Sequence, residues 1–162
     1  MFDEKVLPRE RIYAGRTVAV LVLNRQLAGS FTSDVPYIVI SITDPHRPEA
    51  ELAQSTNLVA ACRLSFNDTS HLDEPEIAPY YVGTDILFGQ EDAAKLLNFV
   101  DKYLHRIDLI ICHCEFGISR SAGVAAAISR ILNDNDDFFF EHYVPNQGVY
   151  RTIMGCLRKR TK

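Results

Sequence analysis

Residues 107–132 constrain this chain more than any other stretch: IDLIICHC, then EFGISRS, then AGVAAAISRIL. Ile107 to Cys112 is a short apolar, β-branched run, the pattern of a strand covered on both faces. Ala122 to Leu132 holds too many alanines for a strand, and Val124, Ala127, Ile128 and Ile131 recur at helical spacing. The loop Cys114–Arg120 must turn the chain between them, and Gly117 at its centre suits a loop that folds its N–H groups inward. Inward amides at a helix N-terminus form an anion site, because the unpaired N–H groups and the helix dipole point at the same ligand. Arg120 adds a planar fork able to hold two phosphate oxygens at once. Cys114 then stands at the floor of a phosphate-shaped cup, where the same groups favour a nucleophilic thiolate.

A bare Cys-x5-Arg spacing arises by chance too readily to decide anything. His113 before the cysteine, Gly117 within the loop, Ser121 after the arginine and the strand-to-helix context make the pattern specific. His113-Cys114-x-x-Gly117-x-Ser119-Arg120-Ser121 resembles the signature of the cysteine-based protein tyrosine and dual-specificity phosphatases. It is most similar to the small dual-specificity and bacterial tyrosine phosphatase branch, over about Leu64 to Ile153. The resemblance implies an α/β fold with a mostly parallel central sheet of about four to five strands flanked by helices. It also implies a phosphocysteine intermediate, a general-acid aspartate on a separate loop, and neither metal nor other cofactor. Glu115, Phe116, Gly117, Ile118, Ser119 and Arg120 are the expected phosphate-binding loop.

The whole chain fits that expectation. Its 162 residues suit one domain, 1–162, with a real core. A 47% hydrophobic content and a net charge of −4 describe a globular protein and argue against disorder or a nucleic-acid partner. Cys62, Cys112, Cys114 and Cys156 show neither disulfide-scaffold density nor a CxxC pair. Cys112, His113 and Cys114 lack a second cluster to complete four metal ligands. No apolar run approaches the ~18 residues of a membrane span. The start, MFDEKVLPRERI, is too charged for a signal peptide. A cytoplasmic protein is expected, with no membrane partner and in a reducing compartment that keeps a catalytic thiol available.

Val18–Leu23, Tyr37–Ile42 and Leu58–Leu64 read as three further strands, and Gly89–Arg106 as an amphipathic helix. The segment between the second and third strands is polar with room for one helical turn, and Asp44 and His46 read as a solvated turn rather than site residues. Asn133–Asp137 is an acidic break, Phe138–Phe140 a return to the core, and 148–159 a final helix.

In a parallel sheet the loops after the strands gather at one edge, so a carboxylate after the third strand is placed to act on a ligand there. Asp68 is that carboxylate, able to protonate a leaving oxygen and later deprotonate water. Asn67-Asp68-Thr69 also resembles the family's acid loop, although Asp68 lies farther from Cys114 than is usual there. The excess is the segment 73–84, and Asp85 and Asp73 remain rivals, with Tyr80 and Tyr81 offered either to the pocket wall or to loop packing. His113 is expected to hold the loop through hydrogen bonds. The Ser121 hydroxyl either bonds the thiolate or caps the helix, a job Ser119 can also do. Pro145-Asn146-Gln-Gly148 resembles the family segment whose Asn braces the phosphate loop, which gives Asn146 a supporting role; Thr152 departs from the pattern.

Phosphoinositide- and RNA-directed relatives carry basic residues inside the loop, so Glu115, Phe116 and Ile118 point away from highly anionic substrates. An aromatic phosphoester, phosphotyrosine in a protein or peptide, is the first choice, with phosphoserine and phosphothreonine open. The chain has no Trp, which excludes the Trp-Pro-Asp acid loop of larger tyrosine-specific enzymes. Other readings are a small-molecule phosphoesterase, a non-catalytic phosphate-binding module, and a sulfur-transfer or arsenate-reducing enzyme. The last requires a resolving thiol, for which Cys62 is the plausible partner and Cys112, two positions away along an extended strand, a poor one.

Overall fold

The computed structural model describes residues 18–69 and 85–160. The expectations for the N-terminus, Asp73, Tyr80 and Tyr81 lie outside those residues. Four strands, β1 (Ala19–Asn24), β2 (Tyr37–Thr43), β3 (Leu58–Ser65) and β4 (Leu109–Cys114), form one sheet in the order β1-β4-β2-β3. Every pairing is parallel. The two central strands, β2 and β4, are buried along their whole length, which is why they read as unbroken apolar runs rather than alternating ones.

Alternation sorts these residues onto two faces. Ile38, Ile40, Ile42, Ile110, Cys112 and Cys114 enter the main core with three helices, α2 (Gln90–Tyr103), α3 (Arg120–Asn133) and α5 (Gln147–Arg160). Tyr37, Val39, Leu109 and Ile111 form a smaller cluster on the other face, with Phe31, Leu52 and Leu58 packed on it. A short helix, α1 (Arg25–Ser30), follows β1 and buries Ala28. Another, α4 (Asp137–His142), follows α3.

The alanine-rich α3 is the hub of the main core. Its residues are buried continuously from Arg120 to Ser129 and again at Ile131 and Leu132. Small side chains let neighbouring backbone come close: a Cβ on Gly123 would stand 2.8 Å from the Asn146 carbonyl oxygen. Helix α2 presents Ala93, Leu96, Leu97 and Val100 inward, as the spacing predicts. The Asp92 carboxylate closes its first turn by accepting from the Gly89 amide at 2.9 Å.

Some local expectations are corrected. The strand before the cysteine is shifted by two residues and runs through Cys114 itself, while Ile107 is buried ahead of it. Helix α1, at six residues, is too short to show periodicity in the sequence, and the Asn24 side chain starts it by accepting from Leu27 N at 2.8 Å. The segment between β2 and β3 holds turns and no helical turn. Of Phe138–Phe140 only Phe139 returns to the core, because a helix points its neighbours outward: Phe138 is 55% and Phe140 39% exposed.

Candidate active site

Because all four strands run the same way, the chain leaves each of them at one edge of the sheet. Arg25 follows β1, Asp44 and Arg47 follow β2, Asp68 follows β3, and the loop Cys114–Arg120 follows β4. The loop carbonyls are held from outside. Glu115 O accepts from Arg25 N (3.2 Å), Ile118 O from Val144 N (3.1 Å) and Ser119 O from Asn146 N (3.0 Å). In a trans peptide the carbonyl and the following N–H point in opposite directions, so the amides of Phe116, Ser119 and Arg120 turn toward the loop interior. Gly117 has φ 68°, and a Cβ there would stand 2.7 Å from Asn24 N, so only glycine fits where the loop crosses the end of β1.

Cys114 lies at the base of a cavity of about 320 Å³ lined also by Asp68, Phe116, Ile118, Ser119, Arg120 and Val144. Its Sγ is 3.0 Å from Ser121 Oγ. Neither serine caps α3. The Ser119 hydroxyl instead donates to Asp68 Oδ1 at 3.1 Å, and Asn146 Nδ2 donates to the same oxygen at 3.3 Å. The Asn146 side chain also accepts from Val149 N at the start of α5, and its backbone N–H donates to Ser119 O, so one residue joins the acid loop, the anion loop and the last helix. The acid loop is clipped at its base: Asn67 N donates to Ile86 O (2.9 Å), and Ile86 N donates to Asn67 Oδ1 (2.8 Å). Asp85 stands beside that clip and, unlike Asp68, is not among the residues lining the cavity.

Arg120 is 3% exposed. Its Nη1 donates to Asp44 Oδ1 at 2.6 Å and to the Phe66 carbonyl at 2.9 Å. Nε is buried with no hydrogen-bond partner among the described residues. One corner of the guanidinium is thus anchored and the Nε edge is left for an anion. This corrects the reading of Asp44 as a solvated turn residue; His46 beside it is exposed. Asp44 was missed because its partner is distant in sequence.

His113 is fully buried in β4, with Nε2 2.7 Å from Ser41 Oγ and Nδ1 3.4 Å from the Cys114 carbonyl oxygen. Burial, helped by the nearby Arg63 and Arg25 charges, lowers its pKa to about 4, so the ring is neutral at pH 7. Glu115 is not a free negative charge at the loop. Its carboxylate pairs with Arg47 and lies 3.7 Å from Arg25. The sequence argument that an acidic loop repels highly anionic substrates therefore loses its charge component, since Arg25 at the start of α1 and Arg47 in the loop after β2 offset that charge. Apolar side chains are exposed around the cavity: Phe116 is 76%, Ile118 51% and Val144 66% exposed. A larger groove of about 670 Å³ lies across Phe116, between Arg25, Glu49 and Glu51, but it lacks a nucleophile.

No family model matches the sequence, and no curated protein matches it. Solved structures do. A human tyrosine phosphatase-like serine/threonine/tyrosine-interacting protein aligns with a TM-score of 0.55 at 14% identity, over 93% of this chain and 96% of that one. The structure of PTPMT1 in complex with PI(5)P aligns at 0.52 and 14% identity, over 87% of this chain and 91% of that one. A further PTPMT1 structure aligns at 0.50 and 18% identity, over 87% and 90%. The chain has the fold of the cysteine-based tyrosine and dual-specificity phosphatases.

Within this phosphatase fold Cys62 is placed away from Cys114. Cys62 on β3 faces Ile40 on β2, which in turn faces Cys112 on β4. Two strand spacings, roughly 9–10 Å, separate β3 from β4, beyond the reach of a disulfide. Burial also pushes the Cys62 thiol up, which makes it a poor attacking group. The pairing of Cys62 with Cys114 therefore finds no geometric basis, and the arsenate-reductase reading loses its resolving thiol. Cys112, His113 and Cys114 do not converge as metal donors either, because alternation turns the imidazole to the opposite face from the two sulfurs. Among the described residues, no helix is long and apolar enough to cross a membrane.

Proposed function

We propose that this chain is a phosphatase that hydrolyses phosphotyrosine, and secondarily phosphoserine and phosphothreonine, in proteins or peptides through a phosphocysteine intermediate. One observation carries the reading: Cys114, Arg120 and Asp68 line a single cavity rimmed by apolar side chains, and Arg120 Nε is without a hydrogen-bond partner among the described residues. In this reading Cys114 attacks phosphorus in line while Arg120 and the amides of 115–120 hold the equatorial oxygens. Asp68 protonates the departing oxygen, and water activated by the same carboxylate hydrolyses the phosphocysteine. Ser121, 3.0 Å from the sulfur, stabilises the thiolate as it leaves in the second step. Asn146 holds Asp68 against the loop. The choice of Asp68 over Asp85 is supported by the cavity lining. Phe116, Ile118 and Val144 favour an aromatic ring above the phosphate. Four free thiols fit a cytoplasmic location, and membership of the small bacterial-type branch belongs to the same reading.

The test is hydrolysis of a phosphotyrosine peptide, a phosphothreonine peptide and a soluble phosphoinositide in the presence of a chelator. Turnover that favours the tyrosine peptide and vanishes in Cys114→Ser is expected. Asp68→Asn is expected to lower kcat on the peptide by about 10²–10⁴, yet to spare an activated aryl phosphate whose leaving group needs no proton. A preference for the phosphoinositide would move the substrate to lipid headgroups. Tight phosphopeptide binding without turnover would make the chain a binding module.

A further inference from the structure

We propose that Ser41 and Arg63 are positioning residues for the nucleophile loop: across the sheet they lock His113 in the neutral tautomer that carries its proton on Nδ1. The proposal deepens the reading of Cys114 as nucleophile and rests on it for its consequence. Three adjacent strands carry the parts in one register row, Arg63 on β3 opposite Ser41 on β2, and Ser41 opposite His113 on β4. Arg63 Nη1 donates to Ser41 Oγ at 3.0 Å and to the buried Ala50 carbonyl at 2.6 Å. An arginine only donates, so Ser41 Oγ accepts there, and its one proton needs an acceptor elsewhere. Among the described residues His113 Nε2, 2.7 Å away, is the group placed to receive it. The far side of the ring agrees. A carbonyl oxygen only accepts, so the long 3.4 Å contact between Nδ1 and Cys114 O is attractive only with the proton on Nδ1. Both ends of the imidazole thus specify one tautomer, and burial beside Arg63 and Arg25 disfavours the doubly protonated form.

The consequence reaches the sulfur. With Nδ1–H on the Cys114 carbonyl, that oxygen is held on the side of the strand away from the cup. A proton on Nε2 instead would set a ring lone pair against the carbonyl and push the peptide that leads into the anion loop. A row of polar side chains across a sheet face otherwise made of Tyr37, Val39, Leu109 and Ile111 costs desolvation that apolar side chains would avoid. Packing alone gives no reason to place it there; orienting the ring does. Glu49 pairs with Arg63 Nε at 3.1 Å but is 64% exposed, so the anchor of the row is the Ala50 carbonyl rather than this surface pair.

The experiment needs no substrate. Imidazole ¹⁵N shifts of the wild-type chain are expected to show His113 with Nδ1 protonated and Nε2 bare. Ser41→Ala is expected to lose that signature and to slow iodoacetamide alkylation of Cys114 at pH 6 about tenfold, while Ser41→Thr, which keeps the hydroxyl, retains both. Arg63→Met frees the Ser41 hydroxyl without opening a cavity at the ring. It is expected to give a mixture of tautomers, and it carries the test if Ser41→Ala does not fold. A wild-type ring protonated on Nε2 overturns the proposal outright, as do folded Ser41→Ala and Arg63→Met chains with unchanged tautomer and alkylation rate. A wild-type Cys114 no more reactive at pH 6 than a free thiol would sink the nucleophile reading while leaving the tautomer assignment standing.

Discussion

Arg120 illustrates how much of this site is decided by one side chain's neighbours. A guanidinium has two edges for a phosphate, and the Asp44 and Phe66 oxygens occupy the Nη1 corner, leaving Nε without a partner among the described residues. Asp44 also sets a negative charge beside the anion site, so its two effects oppose each other. Asp44→Ala removes the anchor and is expected to lower kcat/KM about tenfold, equivalent to ~1.4 kcal/mol of transition-state stabilisation. Asp44→Asn keeps an acceptor oxygen and removes the charge. Its kcat/KM should fall less, and inorganic phosphate should inhibit it more tightly than wild type. Equal losses in both variants would mean that the charge, not the anchor, matters. Cys114, His113, Arg120 and Ser121 were legible in the sequence because their relations are local to one loop. Asp44 was not, because its partner lies 76 residues away and an Asp before a proline reads equally well as a turn.

At the scale of elements, the cup depends on two close approaches of backbone to backbone. Gly117 stands over the end of β1, where a Cβ would meet Leu23 C at 2.8 Å and Asn24 N at 2.7 Å, at a φ of 68° that other residues avoid. Gly123 lies against the Asn146 carbonyl with ordinary helical backbone, so a Cβ there tests packing alone. Gly123→Ala is expected to cost about 1–3 kcal/mol, read as a lower urea midpoint. Because it moves Asn146, it should also lower kcat on a poor leaving group more than on an activated one. A midpoint shift with no such asymmetry would separate Asn146 from the acid loop. The long helices and the apolar strands were readable from periodicity, whereas α1 and α4, at six residues each, were not, being shorter than two turns.

Over the whole molecule, His113 couples stability to pH. In the folded chain burial lowers its pKa from 6.5 to about 4. Between those values the unfolded chain binds the extra proton, so this contribution is fully present above pH 6.5 and is lost as pH falls toward 4. The loss at the acid end is up to about 3 kcal/mol. Urea unfolding of wild type and His113→Gln at pH 7.5, 5.5 and 4.5 checks this. The difference between them should shrink as pH falls, and parallel profiles would show that the imidazole does not titrate in that window.

The sequence alone determined the strand, the anion loop and the helix around Cys114, and with them the fold class, because covalent neighbours carry that information. Short patterns that resemble the phosphatase family also pointed to Asp68 and Asn146, which the structure joins by a hydrogen bond, Asp68 lining the cavity that holds Cys114. Only the tertiary structure decided that Arg63 meets Ser41 and Ser41 meets His113, that Arg25 and Arg47 lie against Glu115, and that Asp44 pairs with Arg120. Each of those relations joins residues on separate strands or on the loops that leave them. Their alignment is set by register in a parallel sheet, where neighbours in space are separated by a crossover in sequence.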